Sequence, residues 1–150
     1  MSKCFETTDV LGVSYAELDY AGATDVIQSW AQEGSRRVVV VAPVSSLMMS
    51  RWRNDLGRAF DRADMVTADG VPIVWARRLM GRSGASRLYG PDLTLSVMQR
   101  CEQDETPIAL LGGRPERLEG LKQSLAVRFP RLGIAYAVSP PFRELDDREV

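Results

Sequence analysis

The run RRVVVVAP, residues 36–43, constrains the fold of this chain more than any other stretch. Four consecutive valines without polar alternation do not suit a strand with one wet face; they suit a strand covered on both faces, as in a parallel sheet packed between helices. Parallel neighbours need crossover connections, and the flanking sequence supplies them. Residues 10–18 read as an extended piece or hairpin, and 22–32 as a helix with Val26, Ile27 and Trp30 on one face, closed by Gly34. Leu47, Met48, Trp52, Leu56 and Phe60 recur at helical spacing behind the capping candidates Ser45 and Ser46. MVTA, 65–68, reads as a second strand and VPIVWARRLM, 71–80, as a helix behind it. A helix from near Pro91 offers Leu93, Val97, Met98 and Cys101 for burial. PIALLGG, 107–113, is a third strand, 115–128 a helix carrying Leu118, Leu121 and Leu125, and GIAYAVSPP, 133–141, a fourth strand. Strands alternating with helices predict an α/β fold with a mainly parallel sheet, and 150 residues fit one domain.

Composition removes several classes of function. There is no histidine, so Ser-His-Asp and Cys-His triads and histidine metal sites are excluded, and proton transfer falls first to the 20 acidic residues. Nineteen basic residues balance them without a long block of either sign, so no nucleic-acid footprint is visible. Cys4 and Cys101 lack C-x-x-C spacing, which argues against a zinc or thioredoxin-like centre and makes Cys101 a small core residue. No apolar run approaches the roughly 20 residues needed to cross a bilayer. MSKCFETTD lacks the apolar stretch of a secretion signal, so the chain is expected in the cytoplasm.

Ligands of open parallel sheets bind beyond the carboxyl ends of the strands, which directs attention to Ala42–Ser46, Thr67–Gly70 and Gly112–Arg114. Asp69 can make a tight turn or cap the next helix. Pro72, best suited to the first helical position, would instead make Val71 the cap and leave Asp69 outside the helix, free to act as a base. Gly112 and Gly113 lie where a strand turns into a helix whose positive end can receive a phosphate, with Arg114 beside them; Glu116 and Glu119 oppose an anion there, and a purely structural turn is an equal alternative. The spacing is not G-x-G-x-x-G, so a nicotinamide-dependent enzyme is a weak third option. Arg87 is either a solvated arginine or an anion ligand, Asp92 a first-turn acid, and Arg77 and Arg78 a solvated helix face with an outside chance of meeting lipid phosphates. Asp146 and Asp147 lack a companion cluster of oxygen ligands for a metal, and no D-x-D triplet occurs.

Several segments together resemble the WecG/TagA/CpsF family of bacterial glycosyltransferases, glycosyltransferase family 26. They are LGVSYAELDYAGATDVI, VVVVAP, ADMVTADGVPIVWARRLMG, RLYGPDL and IALLGGRPERLEGLKQSLAVRFPRLGIAYAVSPPF, in the family's order and over nearly the whole chain. The resemblance implies a Rossmann-like α/β enzyme that moves a sugar, an N-acetylmannosamine-type or other hexose, from a UDP-sugar to a polyprenyl-diphosphate-linked sugar. Transfer would invert the anomeric centre and need neither cofactor nor essential metal. The acid of the A-D-G segment, proposed as general base, falls on Asp69, and the arginine proposed to meet the donor diphosphate on Arg87; Thr67, Gly112, Gly113 and Arg114 complete the expected substrate contacts. The implied setting is cell-surface or exopolysaccharide assembly on the inner face of the plasma membrane, with peripheral membrane contact and a homo-oligomer both compatible. Where the family usually has T-P-N, this chain reads Ala42-Pro43-Val44, and Val44 cannot make the asparagine's hydrogen bonds. The family also continues with a further strand, a P-K-Q-E type segment and a membrane-contacting tail. The chain is therefore expected to correspond to the N-terminal portion, as one domain over 1–150 that lacks the family's C-terminal segment. An impaired relative that binds nucleotide-sugar or regulates a partner is the alternative.

Overall fold

The structure, a computed structural model, describes residues 5–141 and residue 143. Cys4, Asp146 and Asp147 lie outside the described residues. The fold is α/β and Rossmann-like, with six helices and three two-stranded ladders among the described residues. It divides into two compact units, Met1–Val97 and Met98–Val150.

Of the two readings of residues 10–18, extended piece or hairpin, the structure has the hairpin, beginning three residues earlier. Strands β1 (Thr7–Val10) and β2 (Val13–Ala16) pair antiparallel across Leu11 and Gly12, both at positive φ, 55° and 86°. Two left-handed residues give the type of tight turn whose twist matches the strands, and Asp9 Oδ1 accepts the Gly12 N–H at 3.0 Å. Helix α1 (Tyr20–Gln32) starts two residues earlier than its apolar period suggests, because Asp19 caps it by accepting from Gly22 N–H at 2.8 Å. At its far end Gly34, φ 65°, supports bonds back to Ala31 and from Ser35 to Trp30.

Strand β3 (Val39–Ala42) runs parallel to β4 (Met65–Ala68), Val39 opposite Met65 and Ala42 opposite Ala68. The valine run is covered on both faces as its composition requires. Val40 and Ala42 join one cluster with Tyr15, Leu47, Phe60, Val66, Ala68 and Ile73, and Val39 and Val41 join another with Ala23, Met65, Leu88 and Leu93. Val38 is exposed, however, and the strand buried along its whole length is β4. Strand β2 runs close beside β4.

Three sequence expectations fail between β3 and the end of the following helices. The apolar period from Leu47 to Phe60 is not one helix but two, α2 (Val44–Ser50) and α3 (Asn54–Arg62), and Trp52 in the break is 86% exposed. One straight helix would set Leu47 and Phe60 about 20 Å apart; the break returns both to the same cluster. Pro43 occupies the cap position of α2, so Ser45 and Ser46 sit inside its first turn and do not cap it. Arg77 is the third failure. In helix α4 (Val71–Leu79) it shares the inner face with Ile73 and Val74, is 1% exposed, and is ion-paired rather than solvated; Arg78 is exposed, as expected.

Helix α5 (Gly90–Gln103) follows a linking strap and carries Asp92 in its first turn. The first unit ends within this helix. In the second unit Met98 and Cys101 are buried, and β5 (Ile108–Leu111) pairs parallel with β6 (Ile134–Val138) through helix α6 (Pro115–Arg128). The α6 bounds are those its sequence predicts, with Leu118 and Leu125 buried and Leu121 left exposed. Burial pushes the Cys101 thiol up, aided by Asp104, as suits a core cysteine. Among the described residues no helix is long and apolar enough to cross a membrane.

Candidate functional site

Parallel pairing of β3 and β4 brings the first two expected junctions side by side. Beyond Ala68 the ladder continues for one bond, from Asp69 N–H to Ala42 O at 3.3 Å, before the strands give way to helices. Gly70 caps α4, with Val71 and Pro72 as its first two residues, one position earlier than Pro72 alone suggests. Asp69 therefore stands just outside the helix, as expected. Gly70 is needed for close approach: a Cβ there would lie 2.5 Å from Val44 Cγ2 and 3.3 Å from Val44 N. The starts of α2 and α4 are thus in contact, and Val44 fills the space between them with hydrocarbon.

Asp69 and Arg87 come together from 18 residues apart. Arg87 Nη2 donates to Asp69 Oδ1 at 3.0 Å, and Arg87 Nε donates to the Asp69 carbonyl oxygen. The carboxylate is 19% exposed and the guanidinium side chain 46%, so the pair sits at the surface with the acid the more sheltered partner. Arg87 also lies over the Tyr89 ring, 4.6 Å from its centroid, a stabilising cation–π arrangement. The Tyr89 amide donates to Tyr20 Oη at 2.9 Å, and the Leu88 amide to Ala68 O at 2.9 Å, so neighbours on both sides hold the segment. Among the described residues Asp69 Oδ2 and Arg87 Nη1 have no hydrogen-bond partner. Guanidinium carries five donors in a fixed fork. Arg87 can hold Asp69 and still receive an anion.

Thr67 lies within β4, fully buried, its Oγ1 without a hydrogen-bond partner among the described residues. It is a core residue two positions before Asp69 and not a surface group. Gly112, Gly113 and Arg114 belong to the second unit. Both glycines have positive φ, 117° and 76°, with nothing within 4 Å of a built Cβ, so it is the backbone path and not space that favours glycine. The Gly112 N–H is taken by Val138 O at 2.9 Å, and Ser139 Oγ donates to Gly113 O at 2.6 Å. Arg114 caps α6 without a side-chain capping bond, and a cleft of about 460 Å³ opens there between Gly113, Arg114, Pro115 and Ser139–Pro141. Glu116, in the first turn of α6, opposes an anion in this cleft.

Sequence reading missed Tyr89, Tyr20 and Ser139. An aromatic two residues from Arg87 was the available signal for Tyr89; the contacts of the other two arise from chain crossings that spacing does not reveal. Among the described residues no three or more Cys, Asp or Glu side chains converge as a metal cage.

A family model describing the glycosyl transferases WecG, TagA and CpsF matches residues 8–150. That span contains all of the hairpin but Thr7, both parallel pairs, the Asp69–Arg87 pair and the glycine turn ahead of α6. The chain belongs to the WecG/TagA/CpsF family of glycosyl transferases.

Proposed function

We propose that this chain transfers a hexose from a UDP-sugar to a polyprenyl-diphosphate-linked sugar, with inversion, in the assembly of a cell-surface polysaccharide. The carrying observation is the Asp69–Arg87 pair beyond the end of β4 in a chain without histidine. In this reading Asp69 Oδ2 accepts the proton of the acceptor hydroxyl as its oxygen attacks the anomeric carbon. The bond from that carbon to the diphosphate breaks, and its electron pair leaves with UDP. Arg87 keeps Asp69 oriented through Nε and Nη2 and meets the developing diphosphate charge with its remaining N–H groups, a stabilisation strongest in a preorganised site. The turn of Gly112, Gly113 and Arg114 is assigned a phosphate contact within its own cleft, and Thr67 a supporting place under Asp69. The acceptor's lipid tail implies work at the inner face of the plasma membrane by peripheral contact; neither nucleic acid nor a cofactor enters the reaction.

Val44 favours a second reading, an impaired relative that binds nucleotide-sugar without transferring it, because a hydrocarbon side chain stands where the family's polar one would meet the donor. Calorimetric titration with UDP and UDP-sugars, alongside turnover on a lipid-diphosphate acceptor, separates the two. Binding with turnover is the result expected. Binding without turnover supports the second reading, and absence of both contradicts each.

A further inference from the structure

The buried charge on α4 has no place in the reaction just described, yet its bonds lead to the site. Arg77 Nε and Nη2 donate to the two carboxylate oxygens of Glu17 at 2.9 and 2.7 Å, a fork-to-fork pair between α4 and the residue after β2. Its Nη2 also donates to Ala16 O at 3.1 Å, and Nη1 reaches Ser86 O at 3.5 Å. The next residue, Arg78, donates through Nε to Ala85 O at 3.1 Å, and Ser86 Oγ donates to Leu18 O at 3.5 Å. Residues 85, 86 and 88 are thus each tied down, the last by the Leu88 amide on Ala68 O, and Ala85 and Leu88 are buried. Arg87 is the one member of the strap that projects to Asp69.

A helix-borne guanidinium removed from water is costly unless paired, and a hydrophobic residue would serve mere packing as well or better. Its bidentate geometry fixes direction in a way that an apolar contact cannot. We propose that the Glu17–Arg77 pair is a positioning element for the Asp69–Arg87 site: it locks the 85–88 strap to α4 and the hairpin so that Arg87 is delivered to Asp69 in one geometry. This rests on the function proposed above only for its catalytic consequence; the mechanical claim stands on the contacts.

The test uses the full chain and two variants, Arg77→Lys, which keeps the charge but loses the fork, and Glu17→Gln, which keeps the shape but loses the charge. The first readout is solvent exchange of the Arg87 Nε–H and the Leu88 amide by NMR, with a β4 amide such as Val66 as the control. Both reporters should exchange at least about tenfold faster in one or both folded variants while Val66 is unchanged, as local opening predicts. Unchanged reporters in both folded variants would overturn the proposal. The second readout is UDP affinity in a double-mutant cycle with Arg87→Ala. Arg77→Lys should weaken UDP about tenfold when Arg87 is present and less than about twofold when it is absent, because residues acting through one another are not additive. Equal losses in both backgrounds would mark Arg77 as merely structural and overturn the proposal. If the unaltered chain binds no UDP, the assigned function fails, and the exchange measurement alone decides for or against the clamp.

Discussion

Gly70 shows how one missing side chain sets the geometry of the site. Its backbone, φ −91° and ψ 130°, is open to any residue, so the demand for glycine comes only from Val44. Gly70→Ala is expected to destabilise the chain by about 1–3 kcal/mol as overpacking pushes α2 from α4. Adding Val44→Ala should recover most of that loss, measured by urea unfolding; no recovery would place the strain elsewhere. At this scale the sequence was informative about Asp69, since Pro72 marks the helix start to within one residue and leaves the acid outside it. It could not show that Arg87 would meet that acid, because the 18 positions that separate them span a whole helix.

Among elements, α4 is the one whose reading changed most. A charged residue in an amphipathic helix is normally assigned to water, yet Arg77 lies four residues after Ile73 and three after Val74, on the buried face. The spacing was present in the sequence; the partner was not, since Glu17 is 60 residues away. Removing one member of a buried pair strands the other, so Arg77→Met should cost about 3–5 kcal/mol, and Arg77→Met with Glu17→Gln distinctly less, in denaturant unfolding. The same cluster sets a pH window. Burial opposes the charge on Glu17, but hydrogen bonds from Arg77 and Thr8, with the charges of Arg77 and Arg82, outweigh it and hold the carboxyl below its ordinary 4.5. Its contribution is therefore full above that value and is lost as pH falls below 4.5 through the lowered folded value. Tyr15 runs the other way: burial pushes its phenol up to about 12 from 10.0, against the pull of Arg77, so stability from its neutral form fades as pH rises between these values. Thermal unfolding across pH should show both limbs, and Glu17→Gln should flatten only the acid one.

For the molecule as a whole, the α/β class and the order of elements were legible because two patterns alternate along the chain: short runs without polar alternation for the parallel strands, β-branched above all in β3, and spaced apolar residues for the helices. Helix α6 was legible to the residue, with Gly-Gly and Pro115 marking its start. The α2–α3 break was not, because both halves keep the same period and only the need for Leu47 and Phe60 to reach one cluster divides them. Membership of a glycosyl transferase family and a surface Asp–Arg pair converge on one claim, that Asp69 removes the acceptor's proton. The most direct test compares Asp69→Asn with the unaltered chain for hexose transfer from a UDP-sugar to a polyprenyl-diphosphate-linked acceptor, with UDP affinity measured in parallel. Turnover should fall by about 10²–10⁴, the usual worth of a general base, with UDP affinity and fold retained; turnover equal to that of the unaltered chain would rule out Asp69 as the base.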